Sequence, residues 1–222
     1  MAKRVLVIDF ETANFSATSA CAIGAILIDD GEIVKQFHSL IKPPSKVFQF
    51  TSIHGITWEQ VKNSPDFKQV WDLELGSLYE SADLLVAHNI GFDSRVLKAT
   101  AEHHSIKLKE KPTACTVKIA RSELEIKPAK LDHVCKTLEI PLQHHEALSD
   151  SLASAYIYLY AKTGKKHWIR SFEIEQPTPI TKTTVKPKKL TEAISDLNSE
   201  KSKEALKALL KKTKKPTKQA HN

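Results

Sequence analysis

The chain has 222 residues, 41% of them hydrophobic, three cysteines and a formal net charge of +7. No apolar run approaches the ~18 residues that a membrane span needs, and the N-terminus lacks a signal-peptide pattern, so no membrane partner is expected and the cytoplasm is the expected compartment. Cys21, Cys115 and Cys135 are odd in number and lack C-x-x-C spacing, which argues for reduced thiols and against a zinc site.

The charge is uneven. From Gln176 onward there are 12 lysines and 4 acids, +8, whereas the first 175 residues carry −1. A long-range attraction for nucleic acid is therefore expected from the tail and not from the body of the chain.

Val5-Leu6-Val7-Ile8 begins a first strand that continues through Asp9-Phe10-Glu11-Thr12. Residues i and i+2 of a strand share a face, so Asp9 and Glu11 project together and Phe10 points the other way. Adjacent carboxylates repel unless a cation lies between them; the plainer alternative is a pair of solvated acids at a strand end. Cys21 to Ile28 predicts a second strand, Asp29-Asp30-Gly31 a hairpin turn and Ile33 to Ile41 a third strand, so the chain opens as a meander. Thr57 with Gln60 predicts a capping box. The apolar spacing of Phe67, Val70, Trp71, Leu75 and Leu78 predicts helix over Asp66–Glu80. Asp83 to Ala87 is a short apolar strand running into His88-Asn89.

Asp93 then stands in the first turn of a helix reaching about His103, a position that also suits the helix dipole without any chemistry. Pro112 to Ile119 predicts a fifth strand leading into a short helix. Leu131 to Leu138 is a helix, Pro141 to His145 a loop and Ala147 to Thr163 a long helix stopped by Gly164. Strands that come first as a meander and then alternate with helices give an α/β class with a mixed sheet. After Gln176, prolines, threonines and lysines read as linker, with a helical pattern possible over Leu190 to Lys212. The expected organisation is a folded domain over 1–175 and a basic, partly helical tail over 176–222.

Asp9, Glu11, Asp93 and Asp150 supply four carboxylates, and His145 or its neighbour His144 supplies a base. Five helical steps turn about 500°, so a histidine five before Asp150 reaches the same site only from a loop. Oxygen ligands suit Mg²⁺ or Mn²⁺, and two such ions suit in-line attack on a phosphodiester.

The motifs Asp9-Phe-Glu11-Thr, His88-Asn-Ile-Gly-Phe-Asp93 and His145-Glu-Ala-Leu-Ser-Asp150 resemble the three exonuclease motifs of the DEDDh family, which includes the epsilon proofreading subunit of bacterial DNA polymerase III, ribonuclease T and oligoribonuclease. Ile53-His-Gly-Ile-Thr57 and Leu131-Asp-His-Val-Cys135 resemble segments of its epsilon-like branch, and the similarity covers about Val5 to Tyr160. The resemblance implies a ribonuclease-H-like five-stranded sheet flanked by helices. It makes Asp9, Glu11, Asp93 and Asp150 ligands of two divalent ions, Mg²⁺ or Mn²⁺. It makes His145 and not His144 the general base, because the family's histidine lies five before the aspartate. Imidazoles titrate near neutrality, which suits that task.

Phe10, Thr12, Asn89 and Phe92 are candidate substrate-binding residues; core packing is the alternative use of the two phenylalanines, and loop shaping that of His88 and Asn89. One departure stands out: many epsilon subunits carry Thr-Gly-Leu after the first motif, and here the chain reads Ala13-Asn14-Phe15. The expected activity is 3′–5′ hydrolysis of single-stranded DNA ends to nucleoside monophosphates, of the proofreading or repair type. Trimming of RNA 3′ ends is the alternative, and an inactive module that binds nucleic acid or a polymerase is another. A DNA polymerase subunit is a candidate partner for the tail.

Overall fold

The computed structural model describes residues 3–168. The expected basic tail and the 175/176 boundary lie outside the described residues.

Strands β1 (Arg4–Thr12), β2 (Ala20–Asp29) and β3 (Glu32–Leu40) form the expected meander. Its first turn places Asp30 and Gly31 at φ 50° and 86°, left-handed values that a two-residue hairpin needs. Strands β4 (Leu84–Ala87) and β5 (Thr113–Cys115) add to the other side of β1 in parallel, giving the order β3-β2-β1-β4-β5. The fifth strand is only three residues long, because Thr116 already begins a helix.

Alternation along β1 divides two cores. Val5 and Val7 face helices α6 (Thr116–Ser122), α7 (Leu131–Leu138) and α8 (Ala147–Thr163), meeting Ile119, Val134 and Ile157. Leu6, Ile8 and Phe10 face the opposite layer, meeting Phe67, Leu75 and Val96. That layer contains α3 (Phe67–Val70), α4 (Gly76–Ser81) and α5 (Ile90–His103); short turns α1 (Thr51–His54) and α2 (Trp58–Val61) precede it. Thr57 opens α2 with the expected box, its N–H donating to Gln60 Oε1 at 2.7 Å. Between α3 and α4 the helix widens into a π turn, Trp71–Leu75, where an uninterrupted α-helix was expected. The Trp71 indole lies where a side chain on Gly76 would sit, 2.6 Å from its Cβ position, so the indole and the missing side chain fit one another.

Among the described residues no helix is long and apolar enough to cross a membrane, and all three cysteines are free.

One glycine fixes where α8 sits. A Cβ on Gly24 of β2 would lie 2.0 Å from the carbonyl oxygen of Ala147, the first residue of α8. Glycine in a strand interior here marks close approach of another backbone. Gly24→Ala is expected to destabilise the protein by ~1–3 kcal/mol, the usual cost of overpacking. It should also lower kcat, because α8 carries Asp150. Chemical denaturation of the variant checks the first effect, and wild-type stability would show that α8 is not seated on this contact.

Candidate active site

Strand β1 outruns β4. The parallel register pairs Val7 with Val86, and β4 ends one residue later at Ala87, so Asp9 to Thr12 extend past it. A bulge between Glu11 and Thr12, opposite Ala20–Ala22 of β2, ends the regular pairing there. The site thus occupies the crevice at the carboxyl ends of parallel strands, where open α/β sheets place their ligands.

Asp9 and Glu11 lie on the α8 side of the sheet, as their alternation with Phe10 requires. One carboxylate oxygen from each of Asp9, Glu11 and Asp150 falls within 4.8 Å of the others. Asp150, 4% exposed, reaches them from the first turn of α8. Asp93, 1% exposed, arrives differently: Asn89 at φ 72° turns the chain out of β4 into α5, and Asp93 Oδ1 accepts the backbone N–H of Phe10 at 3.0 Å. The four carboxylates so converge. Among the described residues no Lys or Arg ion-pairs with any of them.

Their protonation reflects that crowding. Removal from water, then repulsion from Asp93, Asp150, Glu11 and Glu146, holds Asp9 well above the usual carboxylate range. Burial, then Asp150, Asp93 and Glu146, pushes Glu11 up to about 8. Burial raises Asp93 to about 8 against the opposing N–H of Phe10. Burial raises Asp150 to about 6, opposed by the N–H and the charge of His145. Asp150 Oδ1 is buried without a hydrogen-bond partner. An orphaned oxygen beside three more acids that hold their protons is an environment that a divalent cation relieves, and an all-oxygen donor set matches hard ions.

The sign of the pH dependence follows. These groups keep protons in the folded state that they lose near pH 4 when unfolded, so metal-free stability falls as pH rises through the values given for Asp150, Glu11 and Asp93. The thermal midpoint in EDTA should decline from about pH 5 to about pH 8, and a divalent ion should restore more of it at the upper end. Differential scanning fluorimetry at both pH values measures this; a midpoint that rises across the window in EDTA would contradict the crowding.

His145 lies in the loop before α8, the position its spacing to Asp150 requires, and its N–H donates to Asp150 Oδ2 at 3.0 Å. Its φ is 68°, a left-handed value uncommon outside glycine. His144 and His145 stack, ring centroids 3.9 Å apart.

A cleft of about 930 Å³ opens over these groups. Thr12, Asn89 and Phe92 line it. Phe10 also borders it, but the residue is only 3% exposed and its ring centroid lies 6.3 Å from that of Phe67, the packing expected of the core alternative. Phe15 is 79% exposed and meets Phe50 edge-on at 4.7 Å. His88 bridges elements, its Nε2–H donating to the Ala129 carbonyl at 3.1 Å and its Nδ1 facing the Thr116 hydroxyl at 2.9 Å. Burial lowers it to about 4, so it serves as a neutral brace.

Among the wall residues to which sequence reasoning gave no role are Phe50, His54, Arg121 and Lys130. His54 Nδ1 accepts the Ile56 N–H at 3.0 Å, so its Nε2–H donates to the Thr12 carbonyl at 3.1 Å and ties α1 to the end of β1. The available signal was Gly55, a left-handed helix stop after His54 at φ 75°. For Arg121 and Lys130 no local pattern distinguishes a wall from solvent.

A profile for a family described as Exonuclease matches residues 6–158. The PolC-type DNA polymerase III of Thermotoga petrophila is 35% identical over 158 residues, covering 69% of this chain and 11% of that protein. The chain therefore spans about a tenth of the length of the curated relatives it matches. Exonuclease X in complex with 5′ overhanging duplex DNA is 24% identical, covers 75% of this chain and 98% of its own, and superposes with a TM-score of 0.56. The nuclease domain of 3′hExo, a DEDDh family member bound to rAMP, is 19% identical, covers 75% and 95%, and gives 0.61. At these identities the two structures establish the shared fold.

Proposed function

The chain belongs to the exonuclease family, and from that premise we propose that it is a 3′–5′ exonuclease releasing nucleoside monophosphates from single-stranded DNA ends. The observation that carries this reading is the convergence of Asp9, Glu11 and Asp150 within 4.8 Å beneath an open cleft. DNA is favoured over RNA by the 35% identical PolC-type DNA polymerase III segment, and a proofreading or repair context follows from the same likeness.

Asp9, Glu11, Asp93 and Asp150 would hold two divalent ions, Mg²⁺ or Mn²⁺. Such ions, when bound, lower the pKa of water and stabilise charge on attacking and leaving oxygens. His145 takes the proton of the attacking water, and its backbone N–H to Asp150 fixes the loop that presents it. Phe92 and Thr12, on the cleft wall, contact the terminal nucleotide. Lys130 and Arg121 on the same wall offer phosphate contacts, which position a strand without reading its sequence. Asn89 acts through the turn that sets α5, and so Asp93.

Matched DNA and RNA oligomers carrying a 3′-terminal label test this directly. Labelled monophosphate should appear first and faster from DNA, a 3′-phosphate should resist attack, and a single-stranded circle should stay closed. Rapid nicking of the circle would make the protein an endonuclease and overturn the reading. Faster release from RNA would move the substrate class and leave the chemistry in place.

A further inference from the structure

Two imidazoles stand at the rim of the carboxylate cluster, and the proposed reaction uses only one of them. His144 and His145 are consecutive, and consecutive side chains ordinarily diverge. Here their rings lie 14° from parallel, in a loop where His145 adopts φ 68°. A ring nitrogen of each and a carboxylate oxygen of Asp150 fall within 4.8 Å of one another. We propose that His144, His145 and Asp150 form a second cation site, overlapping the first at Asp150, that takes a transition metal such as Zn²⁺, and that filling it switches the exonuclease off.

The donor chemistry sorts the ions. Imidazole suits zinc, copper and nickel, whereas the set of Asp9, Glu11 and Asp150 is all oxygen and suits magnesium or manganese. Asp150 belongs to both sets, and its buried Oδ1, without a hydrogen-bond partner, is open to an ion in either. Its other oxygen lies 3.9 Å from His144 Nε2. The rings can adapt. Stacked in parallel, the rings hold their lone pairs in separate planes, so one ring must turn for both to face one ion. Among the described residues no hydrogen bond to a ring nitrogen restrains either of them, and the His144 side chain is 38% exposed, which leaves both the rotation and an entry path open. Three protein donors with a fourth position left to water is a common zinc arrangement. An ion held there occupies the lone pair that His145 needs as a base and engages the carboxylate shared with the magnesium set. The inhibitory half of the inference rests on the catalytic reading of His145; the binding half does not.

Competition titration of the full-length chain with ZnCl₂, in buffer free of other divalent ions, measures binding without activity. Co²⁺ in place of zinc gives a visible absorption band that reports nitrogen ligation. His144→Ala should weaken zinc binding by at least ~10-fold, since even outer contacts to a ligand commonly carry that much affinity. It should also raise the zinc concentration that inhibits Mg²⁺-supported cleavage by the same factor, leaving uninhibited turnover close to wild type. Asp9→Asn, which removes no ligand of the proposed site, should retain the Co²⁺ band. Zinc affinity equal in wild type and His144→Ala would overturn the site, because His144 would then contribute nothing to holding the ion. Binding that depends on His144 but does not inhibit would keep the cation site and overturn its role as an off switch.

Discussion

Asp9→Asn should lower exonuclease turnover by ~10³-fold or more, because it removes several kcal/mol of metal-assisted charge stabilisation at 1.36 kcal/mol per tenfold. The same change should leave the protein folded and more resistant to heat in EDTA. Asp9 is held above the usual carboxylate range by burial and by repulsion from Asp93, Asp150, Glu11 and Glu146. An amide of nearly the same shape keeps the packing and removes the repulsion. Activity and metal-free stability should therefore move in opposite directions, which distinguishes a metal-binding cluster from acids that merely support the fold. Turnover assays and thermal melts on one preparation read both. Full cleavage by the variant would sink the site assignment, and a large loss of stability would mean that Asp9 is a structural group.

His145→Ala is expected to lower kcat by ~10²–10⁴-fold, the usual contribution of a positioned general base. His144→Ala should change it little. The two rings are neighbours in sequence and stacked in space, so proximity alone predicts similar effects. What separates them is the backbone: His145 donates its own N–H to Asp150 Oδ2, whereas His144 approaches Asp150 through its side chain, Nε2 lying 3.9 Å from Oδ2. The N–H of residue 145 survives the mutation to alanine, so the loop should keep its seat and the loss should fall on kcat more than on KM. Single-turnover kinetics at saturating substrate give the comparison. The reverse ranking of the two variants would transfer the role to His144.

Much of this protein is legible in one dimension because much of its information is periodic. Alternation along β1 placed Asp9 and Glu11 on one face and sent Phe10 to the other, and the two cores on either side of the sheet follow that division. Helices α7 and α8 begin and end where their apolar spacing and Gly164 indicate. The order of the acids and the histidine along the chain was also enough to suggest their chemistry.

Other features depended on contacts between distant residues. The Phe10 N–H seats Asp93 across 83 positions of sequence, and neither residue's neighbours announce it. Gly24 is an ordinary strand glycine until the Ala147 carbonyl is found where its side chain would be. The π turn at Trp71–Leu75 cannot be read from a spacing that an α-helix fits equally well. The stacked histidines required a left-handed φ at a non-glycine residue. Sequence by itself determined which residues share a face, since that is set by the geometry of one strand or one helix. Tertiary structure alone decided which faces meet and at what distance, because the close approach of carboxylates, rings and backbone groups is fixed by packing between elements far apart in the chain.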